Sequence, residues 1–479
     1  MTRIKFGTDG WRAVIAEEYT FANVRTCAQA VVRYLLDRHL DQKGLVVGYD
    51  TRFASEDFAA AVAEVVAGNG IRVYLTQGAT PTPAVSYSVL DRHAGGGVVI
   101  TASHNPPAWN GFKYKPEYAG SASPQVLAEL ESRIQAVQDG VVPIERVSLE
   151  EGVDDGLIEL FDPRPAYFSK LAELVDLETL RNSGLEVAAD PMYGSGMGYF
   201  PELLGGGATR VLEVNDVRNP IFPGMRNPEP LDHNLDALRS AIVAHSADVG
   251  LANDGDADRI GMMDEKGTYV NALEVYGLLL LYLLEVRGMR GPIVKSLSTT
   301  VMAKKLAEKH GIQVYETSVG FKYIGPKMME VGAMMGGEES GGFAFAGHIP
   351  ERDGILAGLY ILDFIVRTGK RPSELIEHLF SIVGAHYYDR VDYEYEDGER
   401  EALAKRLRMC EDHLPESMGG LRVIGLDTLD GHRFMLEDGG WLLVRLSGTE
   451  PVVRVYTETT HEDRVASLLE AGAELLSLC

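Results

Sequence analysis

Two alternations of apolar and polar positions recur along most of the chain. In the first, an amphipathic stretch of helical spacing ends at glycine, and a β-branched run follows at once. It occurs as Gly68-Asn69-Gly70-Ile71-Arg72-Val73-Tyr74-Leu75, as Gly205-Gly206-Gly207-Ala208-Thr209-Arg210-Val211-Leu212 and as His310-Gly311-Ile312-Gln313-Val314-Tyr315. Glycine adopts the left-handed conformation that stops a helix, and the chain then enters a strand. In the second, a short apolar strand ends in an acidic loop: Leu45 to Asp50, Leu185 to Asp190, and Asp248 to Ala252 ahead of Asp254. Strands alternating with helices predict βαβ units and a mostly parallel sheet. Three occurrences predict three similar α/β domains. The tail differs: Trp441-Leu442-Leu443-Val444-Arg445-Leu446 and Val452-Val453-Arg454-Val455-Tyr456 read as two strands around a polar loop, with a helix from about Glu462, a smaller α+β domain. Polar stretches at 154–165, 264–267 and 387–400 are the candidate linkers.

Composition narrows the partners. A chain of 479 residues is too long for one core. A net charge of −25 argues against nucleic acid as the partner. The three cysteines, Cys27, Cys410 and Cys479, are widely spaced, which excludes a disulfide scaffold and a thiolate zinc site and fits a reducing compartment. Residues 1–10 lack the apolar core of a signal peptide, and the longest apolar run, 277–284, is too short to span a bilayer. The expectation is a cytoplasmic protein with no membrane partner. If such an acidic protein binds a phosphate ester, its site must be locally basic.

The strongest chemical signal is Asp254-Gly255-Asp256-Ala257-Asp258-Arg259, with three carboxylates in five residues. At about 5 Å and an effective dielectric of about 20, each pair repels by ~3 kcal/mol. A folded loop holding all three calls for a cation, and all-oxygen ligands favour Mg²⁺ over Zn²⁺. A solvated acidic turn and a calcium loop are the other readings. Glu265 falls at the twelfth position of a calcium loop, but Arg259 stands at the sixth, where glycine is needed, and Ile260-Gly261-Met262-Met263 looks like a strand.

Four more segments carry candidate groups. Ser103 in Thr101-Ala102-Ser103-His104-Asn105-Pro106 reads as a nucleophile or phosphate carrier, with Lys113 ten residues on, or as a turn before two prolines. Residues 336–342 form a polar glycine-rich loop, in which Glu338 and Ser340 could bond sugar hydroxyls or simply turn the chain. Residues 445–451 hold Arg445, Ser447, Gly448 and Thr449, an anion nest or a polar hairpin loop. Lys322 and Arg12 add cations beside glycines. His104 and His348 also fit as ordinary hydrogen-bonded histidines.

In order and spacing these loops resemble the α-D-phosphohexomutase superfamily, the phosphoglucomutase/phosphomannomutase family, along essentially the whole chain. Residues 101–106 look like its phosphoserine loop, 254–259 its metal loop, 337–341 its sugar loop and 445–451 its phosphate loop; 6–12 look like its start. The resemblance implies four domains around a central cleft: 1–155, 156–264, 265–383 and 384–479. It implies a phosphoryl group on Ser103, and Mg²⁺ held by Asp254, Asp256, Asp258 and the Ser103 phosphate. Lys113, with His104 beside it, would move protons, and Arg259 would face the transferred phosphate. Glu338 and Ser340 would bind the ring, and Arg445, Ser447, Gly448, Thr449, Lys322 and Arg12 the far phosphate. The implied partners are a phosphosugar and a hexose 1,6-bisphosphate, with the chain a monomer or weak homodimer.

Within the family the sugar loop varies. Glu339 as a second glutamate resembles the glucose-type members; glucosamine mutases usually carry glutamine there, and the bifunctional members histidine in place of Gly342. The expectation is glucose 1-phosphate, with mannose or glucosamine 1-phosphate as alternatives. A Mg²⁺-dependent sugar phosphatase and a non-enzymatic carbohydrate- or calcium-binding protein are the competing classes.

Overall fold

The computed structural model describes residues 4–7, 9–396, 398–448 and 451–476. Its four sheets define domains I to IV. The first three share one arrangement, in which two parallel strands and a third parallel strand are followed by an antiparallel fourth, in spatial order fourth-third-first-second. In domain I these are Leu45–Tyr49, Val73–Thr76, Gly96–Ile100 and Trp109–Pro116. In domain II they are Glu186–Asp190, Arg210–Glu213, Val249–Asn253 and Ile260–Met263. In domain III they are Ile293–Ser296, Val314–Thr317, Met335–Gly337 and Phe343–Phe345. The threefold pattern of helix, glycine and strand is thus a threefold fold. Domain IV is a six-stranded antiparallel sheet covered by the helices Arg400–Asp412 and Val465–Leu476.

The repeat decides where chemistry can sit. In each of domains I to III the turn between the third strand and the antiparallel fourth faces the common cleft. Those turns are the segments 101–108, 254–259 and 338–342, expected from sequence to be the serine, metal and sugar loops. Domain IV adds the hairpin loop between Trp441–Leu446 and Val452–Thr459.

Two of the three expected linkers hold strands, and the third turns a hairpin within a sheet. Ile158–Phe161 pairs in parallel with Val73–Thr76 and extends the first sheet past the boundary expected at 155. Residues 264–267 turn a hairpin into Tyr269–Val270, so the second sheet runs past 264. Tyr387–Glu394 is the edge strand of domain IV. Edge strands show one side to water, which is why their sequences look like connectors. The expected left-handed cap is present at Gly311, φ 64°. Asn69 and Gly205 close the other two helix ends, with the left-handed residue one step later at Gly70 and Gly206.

One helix ties domains II and III together. Gly354–Thr368 is buried along nearly its whole length and packs in a core shared by both sheets, with Gly358 closely approached by Phe200 and Leu251. Its apolar residues run all round, as a helix without a wet face requires. Domain IV docks on domain III through Leu273, Leu297, Val301, Trp441, Leu443 and Tyr456. Buried Glu458 accepts from Val301 N across the same seam and from Trp441 Nε1 within domain IV, both at 2.8 Å. No helix among the described residues is long and apolar enough to cross a membrane.

Candidate active site

Ser103 is buried and sits at φ 52°. A left-handed serine is uncommon and must be held in place. Thr101 Oγ1 accepts from its backbone N at 2.8 Å. Arg52, fully buried, donates to the carbonyls of Ser103 (2.7 Å), Asn105 (2.5 Å), Pro106 (2.9 Å) and Trp109 (3.1 Å). Asp50 lies 3.3 Å from its Nε. A rigid fork of donors suits this clamp on a loop's carbonyls.

The metal loop meets the serine loop directly: Ser103 Oγ donates to Asp254 Oδ2 at 2.8 Å. Asp254, Asp256 and Asp258 are buried, with candidate ligand atoms all within 4.8 Å of one another. Lys113 Nζ lies 2.8 Å from Asp256, 3.2 Å from Asp258 and 2.7 Å from Asp9. Arg352 Nη2 lies 2.8 Å from Asp258, and Thr82 Oγ1 donates to Asp256 at 2.5 Å. Even so, Asp256 Oδ1 and Asp258 Oδ1 are buried with no hydrogen-bond partner among the described residues. Burial, then the charges of Asp256 and Asp258, push the Asp254 carboxyl well above its ordinary value. Orphaned oxygens beside a carboxyl under repulsion are what an all-oxygen cation site looks like without its cation, so these residues fit a hard divalent ion.

Cations converge around this centre. Burial would lower Lys113, but Asp256, Asp9 and Asp258 hold its ammonium above its ordinary value. Arg12 Nη1 donates to Asn105 Oδ1 at 2.5 Å in the serine loop. Arg259 Nη1 donates to Glu229 at 2.9 Å, with its Nε 4.0 Å from Asp254 and 3.9 Å from Asp258. His104 Nδ1 lies 3.2 Å from Ser103 Oγ. Burial, then Arg259 and Arg12, push its imidazole well below the ordinary value. Lysine and arginine are thus gathered at the centre of an acidic protein, but carboxylates stand among them and answer their charge.

The sugar loop faces the same hub. Glu338 is buried 3.6 Å from Arg352, and burial raises its carboxyl to about 7 against the pull of that arginine. Glu339 turns away: its Oε2 accepts from Ser296 Oγ (3.0 Å) and Ser298 Oγ (2.6 Å). Ser340 is half-buried. In domain IV, Arg445 Nε lies 3.1 Å from Asp430, and Ser447 N closes the hairpin on Val452 O at 2.8 Å. Gly448 is exposed, with open space where a side chain would be. Thr449 lies outside the described residues. Lys322 Nζ lies 3.3 Å from Gly7 O and feels the charges of Asp430, Arg445, Glu131 and Asp9.

The four domains match, in chain order, the phosphoglucomutase/phosphomannomutase α/β/α domains I, II and III and C-terminal domain, at residues 3–140, 165–267, 273–382 and 397–475. The phosphoglucomutase/phosphomannomutase of Thermococcus kodakarensis is 31% identical over 472 residues, 98% of each chain. The chain belongs to the phosphoglucomutase/phosphomannomutase family. It is a phosphohexomutase, of the α-D-phosphohexomutase superfamily. The phosphoglucosamine mutase of Thermobifida fusca is also 31% identical, over 99% of this chain and 98% of its own. The solved structure of a Thermus thermophilus protein, provisionally named a phosphomannomutase, superposes with a TM-score of 0.85 at 34% identity over 99% of each chain.

Around Ser103 the structure gathers His104, Arg12, Asp254, Asp256, Asp258 and Arg259, with Glu338 reached through Arg352, and there is one difference. Lys113 was expected beside Ser103, but its ammonium is engaged by three carboxylates, because the strand Trp109–Pro116 runs it beneath the metal loop. Glu265, the twelfth position of a calcium loop, turns to Ser373 Oγ at 2.6 Å, and a strand follows the aspartates, so no calcium loop forms. Sequence reading missed Arg52, Thr82, Asp9, Glu229, Lys115, Glu351 and Arg352. A signal was there for the last two: Pro350-Glu351-Arg352-Asp353-Gly354 sets three charges before a strongly apolar helix. Lys115 and Ser121 both bond Glu351, at 2.6 and 2.7 Å, and Arg352 bridges Asp9 and Asp258. His348 is a structural histidine, its Nε2 2.8 Å from Asp353.

Proposed function

We propose that this phosphohexomutase interconverts hexose 1-phosphate and hexose 6-phosphate, with glucose the preferred sugar, through a phosphorylated Ser103. The observation that carries the reading is the 2.8 Å contact between Ser103 Oγ and Asp254 in a buried cluster with unsatisfied carboxylate oxygens. The 6-hydroxyl of bound hexose 1-phosphate attacks the seryl phosphate. A bond forms from O6 to phosphorus, the bond to Ser103 Oγ breaks, and hexose 1,6-bisphosphate results. The hydroxyl's proton is taken up, and one is delivered to the serine oxygen; His104, with Nδ1 3.2 Å from Ser103 Oγ, is the group in reach, while Lys113 stays paired with Asp9, Asp256 and Asp258. The bisphosphate turns over in the cleft and returns its 1-phosphate to Ser103, leaving hexose 6-phosphate.

Phosphoryl transfer needs positioning and charge neutralisation more than covalent assistance. Asp254, Asp256, Asp258 and the seryl phosphate would hold Mg²⁺, which when bound would neutralise charge on the transferred group. Arg259 meets the transferred phosphate. Glu338 and Ser340 bind the ring. Arg445, Ser447, the backbone at Gly448 and Thr449 hold the far phosphate, helped by Lys322 and Arg12. Glu339 supports glucose as the sugar by its likeness to the glucose-type members, and its bonds to Ser296 and Ser298 assign it to holding the loop, leaving the ring to Glu338.

The test is a coupled assay on glucose, mannose and glucosamine 1-phosphates side by side, with a trace of bisphosphate. Fastest turnover is expected with glucose, and Ser103→Ala is expected to lose turnover by orders of magnitude. Near-normal rates in Ser103→Ala would refute the phosphoserine. Steady release of inorganic phosphate in place of hexose 6-phosphate would make the protein a phosphatase.

A further inference from the structure

The segment Arg226-Asn227-Pro228-Glu229-Pro230 of domain II carries none of the roles proposed above, yet it touches the parts of the site that must be in register. Asn227 Nδ2 donates to the His104 carbonyl of the serine loop at 2.9 Å. Pro228 packs on the metal loop, its Cγ 3.3 Å from where a β-carbon on Gly255 would lie. Pro230 covers Gly261 so closely that no β-carbon fits there. Glu229, nearly buried, accepts from Arg259 Nη1 at 2.9 Å and from Asn227 Nδ2 at 3.2 Å.

The other side of the segment meets the edge strand Tyr387–Glu394 of domain IV. Arg226 lies 3.5 Å from Glu394. Arg390 shares a face of that strand with Glu394 because side chains alternate along it; its Nε lies 3.0 Å from Asp392, and its charge is also felt at Glu229. Burial would raise the Glu229 carboxyl, but Arg259 and then Arg390 draw it below its ordinary value. The polarity is complementary, with cation on anion at one end of the contact and anion on cation at the other. The Arg226–Glu394 pair is exposed and screened by water, so the charges at buried Glu229 are the part that can favour one register of domain IV against domain II.

We infer that Glu229 is a positioning residue for phosphoryl transfer, aiming the Arg259 guanidinium and tying that aim to domain IV through Arg390. The inference rests on the mutase reading of Arg259. A buried carboxylate with a single guanidinium partner can pivot with it. Asn227 Nδ2 on its other oxygen, and the charge of Arg390, restrain that pivot, and the arginine's with it. Domain IV also carries Arg445 and Ser447, so the same docking that brings up the grip on the far phosphate would align the cation for the reacting one.

Steady-state kinetics of the full chain with glucose 1-phosphate and a trace of glucose 1,6-bisphosphate test this. Glu229→Gln keeps the shape and removes the charge. Its kcat is expected to fall roughly 10–100-fold, the effect of misplacing a catalytic group by about 1 Å. KM should move far less, because Arg445 is untouched, and Glu229→Asp should recover part of the loss. Arg390→Gln should lower kcat by a smaller factor, and the double variant should fall no further than Glu229→Gln alone, since both act through one carboxylate. Unchanged kcat in Glu229→Gln, a lowered melting temperature as its sole effect, or multiplying effects of the two substitutions would overturn the inference. If Glu229→Gln fails to fold, Arg390→Gln, whose side chain is 23% exposed, decides the matter by its kcat alone. A wild-type chain that isomerises none of the three sugar phosphates would instead sink the mutase reading, and this inference with it.

Discussion

Replacing Asp254 by asparagine distinguishes a cation site from an acidic turn balanced by its own lysine and arginines. With ligand atoms within 4.8 Å of one another, each pair of full charges repels by about 3.5 kcal/mol or more at an effective dielectric of about 20. Lys113 answers Asp256 at 2.8 Å and Arg352 answers Asp258 at 2.8 Å. Asp254 has Arg259 Nε at 4.0 Å, worth about 4 kcal/mol in the same medium. Set against two repulsions, that leaves Asp254 disfavoured by about 3 kcal/mol before its desolvation is counted. Asparagine can keep both contacts, with Oδ1 accepting from the backbone N of Arg259 and Nδ2 donating to Ser103 Oγ, which reverses the hydrogen bond that Asp254 Oδ2 now receives. Without metal, Asp254→Asn should therefore melt no lower than wild type, and slightly higher if the repulsion is fully felt. With Mg²⁺ at about 100 times its Kd, binding to the folded state alone adds about 2.7 kcal/mol, a rise of several degrees in wild type. The variant should lose most of that rise. Thermal melts in EDTA and in Mg²⁺ read both effects. A variant that keeps the full Mg²⁺ shift, or melts several degrees lower in EDTA, would show that Asp254 serves the fold and not a cation.

Arg52→Met should destabilise the chain by about 3–5 kcal/mol, since it strands Asp50 and four loop carbonyls in the interior, and turnover should fall with it as Ser103 loses its frame; a melt within a degree of wild type would refute the clamp. Arg445→Ala should raise KM roughly 10–100-fold, the worth of one or two charge-assisted hydrogen bonds, with little change in melting temperature; unchanged KM with a collapsed melt would make the loop a structural hairpin. Glu338 should give KM a pH dependence. Its carboxyl is raised to about 7 by burial, so it is ionised and able to accept from sugar hydroxyls above that pH and protonated below it. KM should rise as pH falls through 7, and Glu338→Gln should flatten the profile; the same slope in the variant would assign it to the substrate phosphate.

The threefold repeat was legible because its signals are local. Glycine ends a helix and a β-branched run starts a strand within a few residues of each other, as at Gly311 and Val314, whatever lies elsewhere in the chain. The site loops were legible for a similar reason: three aspartates in one turn and a serine before two prolines stand out without a partner in view. The strand Ile158–Phe161 was not legible. Its half-exposed sequence matches a connector until Val73–Thr76 is placed beside it. Nor was the setting of Lys113, which lies 143 residues from Asp256 in the chain and 2.8 Å from it in space.

The amino-acid sequence by itself determined the elements, their order and the inventory of reactive groups, because helix stops, strand propensity and carboxylate density act over a few neighbouring residues. Only the tertiary structure decided which charges meet: Arg52 under the serine loop, Arg352 between Asp9 and Asp258, Glu229 on Arg259. The physical reason is that a charge acquires its consequence from burial and from its nearest opposite charge. Both arise when segments hundreds of residues apart are packed into one water-poor cleft.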